Sequence, residues 1–213
     1  MTLLTDLITA TVETLYMTSL STALATLLGF PLGTGLFIAK SIKPHPKLSH
    51  FLETLINFSR SIPFIILLVA LIPFTRLIVG TSIGTTAAII PLTIGAIPFY
   101  ARLVDNIYQN LPSGLIETGL SMGVTTRQMI RHILFPEAIP AFIKATTVTA
   151  IALVNFSAMA GTVGGGGLGD LAIRYGYQRF NMTVMIITII ILIAIVQLLQ
   201  TIGDKLANRY QFS

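Results

Sequence analysis

The chain has 213 residues, of which 54% are hydrophobic and only 10% charged, with a formal net charge of +5; so apolar a composition excludes an ordinary soluble domain and marks an integral membrane protein. Cysteine is absent and His45, His50 and His132 lie far apart, which excludes disulfides and thiolate metal sites and leaves no catalytic, cofactor-binding or metal-binding constellation to expect. In a chain this oily the basic residues read as determinants of membrane orientation, and nucleic acid is not an expected partner.

An ionised side chain at the bilayer centre costs about 2.5–3.5 kcal/mol on insertion scales, so charge-free runs mark the membrane candidates. The first is Thr14 to Ala39. Residues 1–13 before it carry no Lys or Arg, which suits export of the amino end. The run is too long for a signal-peptide core and is expected to be an uncleaved span, preceded by a short helix along the outer surface. Gly29, Pro31, Gly33 and Gly35 interrupt it, either as sites of close helix packing or as bends around a path that opens and closes.

The second run, Ser61 to Thr75, is bracketed by Pro63 and Pro73. It falls short of the roughly 20 residues that cross a hydrocarbon core. It is either a re-entrant segment or a full span that borrows from "FLETLINFSR", with Arg60 reaching the interface. Charge sorting decides. Five spans place Lys40, Lys43, Lys47, Arg60, Arg102, Arg127, Arg131, Lys144, Lys205 and Arg209 on one side and leave Arg76, Arg174 and Arg179 on the other. Four spans divide the same residues almost evenly, against the excess of Lys and Arg expected on the cytoplasmic side. The expected fold is therefore an all-α membrane protein of five transmembrane helices, with the amino end outside and the carboxyl end in the cytoplasm.

The third run, Leu77 to Ala101, contains Pro91 and Pro98 and leads into the longest polar passage, "IETGLSMGVTTRQMIRHILFPEAIP". Ser113 is placed to cap a helix reaching about Met122, with Leu115, Ile116 and Leu120 forming an apolar face. Gly123 is placed to stop it. Thr125 and Gln128 have capping-box spacing, so a second helix starts at once. It carries Met129, Ile130, Ile133 and Leu134 as a stripe, with Arg127, Arg131 and His132 off it and Pro136 as its expected end. Two short amphipathic helices meeting at a glycine fit a surface-lying anchor or a plug for a groove on another protein. A DNA-reading unit is a poor fit, since both ends are tied to the membrane.

The fourth run, Ala145 to Gly169, ends in "GTVGGGGLGD", which lacks the Lys-Ser/Thr ending of a phosphate-binding loop and has no strand before it. It is expected to be a flexible outer turn, or a docking surface that glycines open to a partner's backbone. The last run is Phe180 to Gly203. No run holds an ionised residue near its middle, so neither ion coupling nor nucleotide hydrolysis by this chain is expected, and the energy for any transport must come from another subunit.

Glu117-Thr118-Gly119, three residues, Gly123, nine residues, then Ile133-Leu134-Phe135-Pro136 resembles the cytoplasmic EAA loop of the permease subunits of bacterial ABC importers. Thr118, Gly119 and Phe135 stand where that pattern has Ala, Ala and Leu. "RSIPFIILLVALIPFTRLIVGTSIGTTAAIIPLTIGAIPFYARLVDN" and "FSAMAGTVGGGGLGDLAIRYGY" resemble the methionine importer permeases, and the similarity runs along nearly the whole chain. The resemblance implies a single transmembrane domain over residues 1–213, with a cytoplasmic coupling loop over 105–138, in the bacterial cytoplasmic membrane. It implies a homodimer, two ATPase subunits beneath it, a substrate-binding lipoprotein outside, and lipid around the spans. It assigns ATPase coupling to Glu117, Thr118, Gly119, Met122, Gly123 and Val124, no cofactor, and L-methionine with possible D-methionine as cargo. For such a cargo Asn155, Ser157 and Met159 offer an amide, a hydroxyl and a thioether as pathway or gate residues. The alternatives are a permease of the same class for another amino acid, a betaine or a phosphonate, and a stand-alone channel or scaffold.

Overall fold

Thr and Ser recur through the apolar runs, and helices, which satisfy their backbone internally, accommodate these hydroxyls because they donate back to the same backbone. Thr14, Thr18, Thr22, Thr149 and Thr188 each donate to the carbonyl four residues earlier at 2.7–2.9 Å, which satisfies them without water. A computed structural model describes residues 3–210. Among them α1 spans Leu3–Phe37 and continues as a π-helical segment, Ile38–Ile42. Among the described residues there is no separate surface helix at this end: the place expected for it is taken by the first turns of α1 itself. Next come α2 (Pro46–Ser61), α3 (Phe64–Ala70), α4 (Ile72–Val79) and α5 (Thr85–Gln109). The chain continues through α6 (Ser113–Ser121), α7 (Thr126–Gln128), a π-helical Met129–Leu134 and α8 (Phe135–Gly161). It ends with α9 (Gly167–Leu171), a π-helical Ala172–Tyr177 and α10 (Met182–Arg209).

Helix directions fix the number of crossings. Along α1, Ser21 donates to the carbonyl of Ile89, Gly29 lies on Ile97 and Tyr100, Gly33 on Ala101 and Val104, and Phe37 stacks on Tyr108 at 5.0 Å. Rising numbers on one helix meet rising numbers on the other, so α1 and α5 are parallel. The chain between them must recross the membrane, which excludes a re-entrant loop. That passage is α2–α4, sharply broken: α2 and α3 bend by 97° at Ile62 and Pro63, where no helix residue intervenes. By contrast α8 is antiparallel to α5, with Phe142 at Tyr108 and Tyr100 hydrogen-bonded to Thr146 at 3.2 Å. In turn α10 is antiparallel to α8, with Gly203 against Thr147. The chain thus crosses five times, through four long helices and one bent passage, and its ends lie at opposite ends of the bundle.

Gly29 and Gly33 are packing devices. A Cβ at Gly33 would collide with the Ala101 carbonyl and the Val104 side chain, and one at Gly29 would lie 2.9 Å from the Ile97 carbonyl; the spacing brings two backbones together as small residues do in membrane bundles. Pro31, Pro91, Pro98 and Pro140 sit within continuous helices. Pro136, expected to end a helix, lies instead in the first turn of α8. There its missing N–H is no loss, and the wider π turn before it absorbs the ring.

At the end where α1 finishes, an ion network ties three elements. Lys40 reaches Glu53 at 2.8 Å and Asp105 at 3.6 Å, while Arg102 reaches Glu53 at 3.1 Å and Asp105 at 3.2 Å. At the opposite end the glycine-rich turn is pinned rather than flexible. The Glu13 carboxylate accepts from the Gly167 N–H at 2.7 Å, Thr14 Oγ1 from that of Leu168 at 2.9 Å, and the Gly164 carbonyl from that of Gly84 at 2.8 Å. Gly164, Gly166 and Gly167 all adopt positive φ, a conformation open to glycine at little cost.

Candidate functional site

The polar passage folds into a compact block at the Lys40 end of the bundle. Pro112 rather than Ser113 occupies the cap position of α6, and Ser113 is its first residue; the proline brings a preset φ that the helix start requires. The helix stops at Gly123, φ 71°. There the Gly123 N–H donates to the Leu120 carbonyl at 3.0 Å and the Val124 N–H to that of Gly119 at 3.2 Å, the paired bonds of a Schellman ending. Two residues later the expected capping box is present: the Thr125 N–H donates to Gln128 Oε1 at 2.8 Å and the Gln128 N–H to Thr125 Oγ1 at 3.4 Å.

Met129 and Leu134 are fully buried in a cluster with Phe37, Tyr108, Ala138 and Phe142, against which Leu115, Ile116, Val124 and Ile133 also pack. Gly119 makes the fit possible. A Cβ there would lie 2.5 Å from Met129 Cε, 2.8 Å from its Sδ and 3.2 Å from Ile133 Cδ1. So α6 rests on the following helix, and that helix rests on the ends of α1, α5 and α8. A displacement of α6 is carried into the bundle through packed side chains rather than lost in a loop.

The outward side of this block gathers four of the six residues assigned to coupling. Glu117, Thr118, Met122 and Gly123 are exposed, Val124 is half-buried, and Gly119 is buried on the inward side. Leu120 and Met122 stand 52% and 74% exposed, two apolar side chains open to a partner within a few positions of the exposed Glu117. Of the apolar face expected from Leu115, Ile116 and Leu120, the first two are half-buried against the Met129 cluster, whereas Leu120 is exposed.

Asn155, Ser157 and Met159 do not share a face. Asn155 and Met159 are exposed on one stripe of α8 with Lys144 and Val148. Ser157 is buried and donates to the Val154 carbonyl at 2.8 Å. No other side chain among the described residues hydrogen-bonds Asn155. An amide and an ammonium on the exposed stripe of a membrane helix are costly against acyl chains, so this stripe faces water or protein. Among the described residues no group of three or more His, Cys, Asp or Glu could hold a metal ion.

Residues 31–211 match the family model of the binding-protein-dependent transport system inner membrane component. A probable D-methionine transport system permease of Vibrio cholerae is 52% identical over 205 residues, covering 95% of this chain and 91% of its own length. The D-methionine transport system permease of Escherichia coli K12 is 50% identical over 151 residues, 70% of each chain. A solved structure described as an inward-facing conformation of the MetNI methionine ABC transporter superposes with a TM-score of 0.94 at 44% identity, covering 99% of this chain and 100% of that one. An amino acid ABC transporter crystallised with histidines matches at TM-score 0.78 and 22% identity, a likeness of fold alone.

Proposed function

The chain belongs to the family of binding-protein-dependent transport system inner membrane components, and from that premise we propose that it is the translocation subunit of an ATP-driven importer of L- and D-methionine. The observation that carries this reading is the block built on Met129: a short helix with a hard stop, two outward apolar side chains and an exposed carboxylate, seated on the ends of α1, α5 and α8. That geometry suits helix-in-groove recognition by a separate ATPase, with Leu120 and Met122 as anchors and Glu117 setting register. Two copies of the chain frame the path at their shared axis, two ATPases bind the blocks, and a substrate-binding lipoprotein delivers cargo at the glycine-rich end. The amino end lies outside and the carboxyl end in the cytoplasm, the orientation that puts the basic residues inside.

In this mechanism the chain performs no covalent chemistry. Closure of the ATPases moves α6, the Gly119–Met129 contact passes the motion to α8 and α5, and the rigid bundle switches between inward and outward openings. Asn155 and Met159, on the exposed stripe of α8, are the pathway residues of the assigned set; Ser157 holds the helix in its packing.

Copurification with the cognate ATPase, compared between the unmodified chain and Glu117→Lys or Gly123→Pro, tests the coupling surface. Loss of the ATPase from both variants with the chain still folded is the expected result; retention by both rejects the assignment. Competition by unlabelled methionine for labelled methionine uptake, against betaine and phosphonate, tests the cargo. Failure of methionine to compete rejects it.

A further inference from the structure

At the helical period the surface of α2 divides into three strips. The first turns inward: Ile56 is buried against Leu36 and Ala101, Leu52 is half-buried beside them, and Glu53 is held by Lys40 and Arg102. The second is exposed and apolar, Leu48, Phe51, Leu55 and Phe58, a surface suited to acyl chains. The third is exposed and polar along its whole length: Lys47, His50, Thr54, Asn57 and Ser61, bordered by Arg60. Among the described residues the side chains of Lys47, His50, Thr54, Asn57 and Arg60 have no hydrogen-bond or ion-pair partner. The paired Glu53 fixes the rotation of the helix, and with it the direction of each strip.

Depth makes the third strip informative. Glu53 sits level with Arg102 and Ile56 with Ala101, while Phe64, just past the bend, sits at Gly95, within 3.3 Å of where its Cβ would be. The passage therefore rises along α5, and Asn57 and Ser61 lie between the levels of Ala101 and Gly95, near the middle of Thr85–Gln109. At that depth a bare row of donors and acceptors is expensive against hydrocarbon and is expected to face a water-filled space. Beyond Ser61 the exposed residues of α3 are Ile65, Ile66, Val69 and Ala70, all apolar, so the polar surface runs from the Lys40 end to mid-membrane and stops.

We propose that the polar strip of α2 is a wall of the translocation route in its cytoplasmic half, presenting Thr54, Asn57 and Ser61 to an amino-acid zwitterion and the cationic groups of Lys47 and Arg60 to its carboxylate. This rests on the permease reading above. Hydroxyls and a carboxamide both donate and accept, which suits ammonium and carboxylate alike, and the strip contains no acidic group to retain the cargo by its ammonium.

The chain lacks cysteine, so a single introduced thiol is its only one. Thr54→Cys, Asn57→Cys, Leu55→Cys and Phe58→Cys are reconstituted with the ATPase and treated with a positively charged methanethiosulfonate reagent. Thr54→Cys and Asn57→Cys are expected to react roughly tenfold faster than the other two, since a lipid-facing thiol is not wetted. Trapping with ATP and vanadate is expected to slow Asn57→Cys, and its modification to lower methionine uptake severalfold. The proposal is overturned if Asn57→Cys reacts as slowly as Phe58→Cys, which would mean that protein or lipid covers the strip. It is equally overturned if the reactivity ignores nucleotide and modification leaves uptake intact, as for a helix lying on the cytosolic surface. Uptake by the unmodified complex in the same vesicles reads the permease assignment separately: normal uptake beside an unreactive Asn57→Cys rejects the strip alone, whereas absent uptake rejects the permease reading.

Discussion

At the scale of single residues, Gly119 and Asp105 carry the sharpest consequences. The space over Gly119 is bounded by the far end of the Met129 side chain, and a thioether can swing. Gly119→Ala is therefore expected to keep ATP-dependent uptake near the unmodified level. Gly119→Leu is expected to lift α6 from its seat and abolish both uptake and ATPase copurification, with a partial return in Gly119→Leu/Met129→Ala; uptake assays on the four proteins check this. Asp105 is fully buried between Lys40 and Arg102. Asp105→Asn strips a buried pair of one partner and is expected to cost about 3 kcal/mol, read as a lower thermal midpoint of the purified complex, with a smaller loss for the half-exposed Glu53→Gln. Little of this was legible in the sequence. Gly119 stood out through the family pattern it departs from, but the Met129 that explains it is ten positions on, and periodicity shows only that Met129 faces inward. Lys40 and Arg102 served to sort charge across the membrane, Asp105 and Glu53 were not singled out, and the meeting of the four depends on the rotation of three helices.

At the scale of elements, local chemistry was readable wherever it was local. The Gly123 stop and the Thr125–Gln128 box rest on side chains within three or four positions of one another, and both are present. Thr125→Ala is expected to destabilise the start of the second helix by about 1 kcal/mol, seen as faster hydrogen exchange over residues 125–130 with the transmembrane helices unchanged. Where an element's fate depends on partners distant in sequence, the reading went astray. Pro136 is the local exception: it signals a helix end by its own chemistry, yet it lies in the first turn of α8, directly after the π turn of Met129–Leu134. "GTVGGGGLGD" reads as a flexible turn by composition, yet Glu13 and Thr14, more than 150 positions earlier, hold its backbone N–H groups. Glu13→Gln is accordingly expected to raise proteolytic cleavage within residues 162–168 in everted or intact vesicles, whichever exposes that end.

At the scale of the whole molecule, the distribution of Lys and Arg was enough to count the crossings, because insertion energetics act on the chain as a line before it acts as a bundle. The parallel run of α1 and α5 gives the same odd count independently. Charge could not foretell that the second crossing is broken by 97°; the break falls at Pro63, which the sequence shows, with Ile62 before it extended at ψ 122°, and beyond it Phe64 stacks on Phe156 at 4.5 Å. In the proposed reading the work of concentrating a solute falls to a separate ATPase acting through the block on Met129. The most direct measurement is labelled methionine uptake into vesicles containing this chain with or without its ATPase, with the binding protein and ATP supplied. Accumulation above the external concentration only when ATPase and ATP are both present is the predicted result; uphill accumulation by vesicles holding this chain alone would contradict the account.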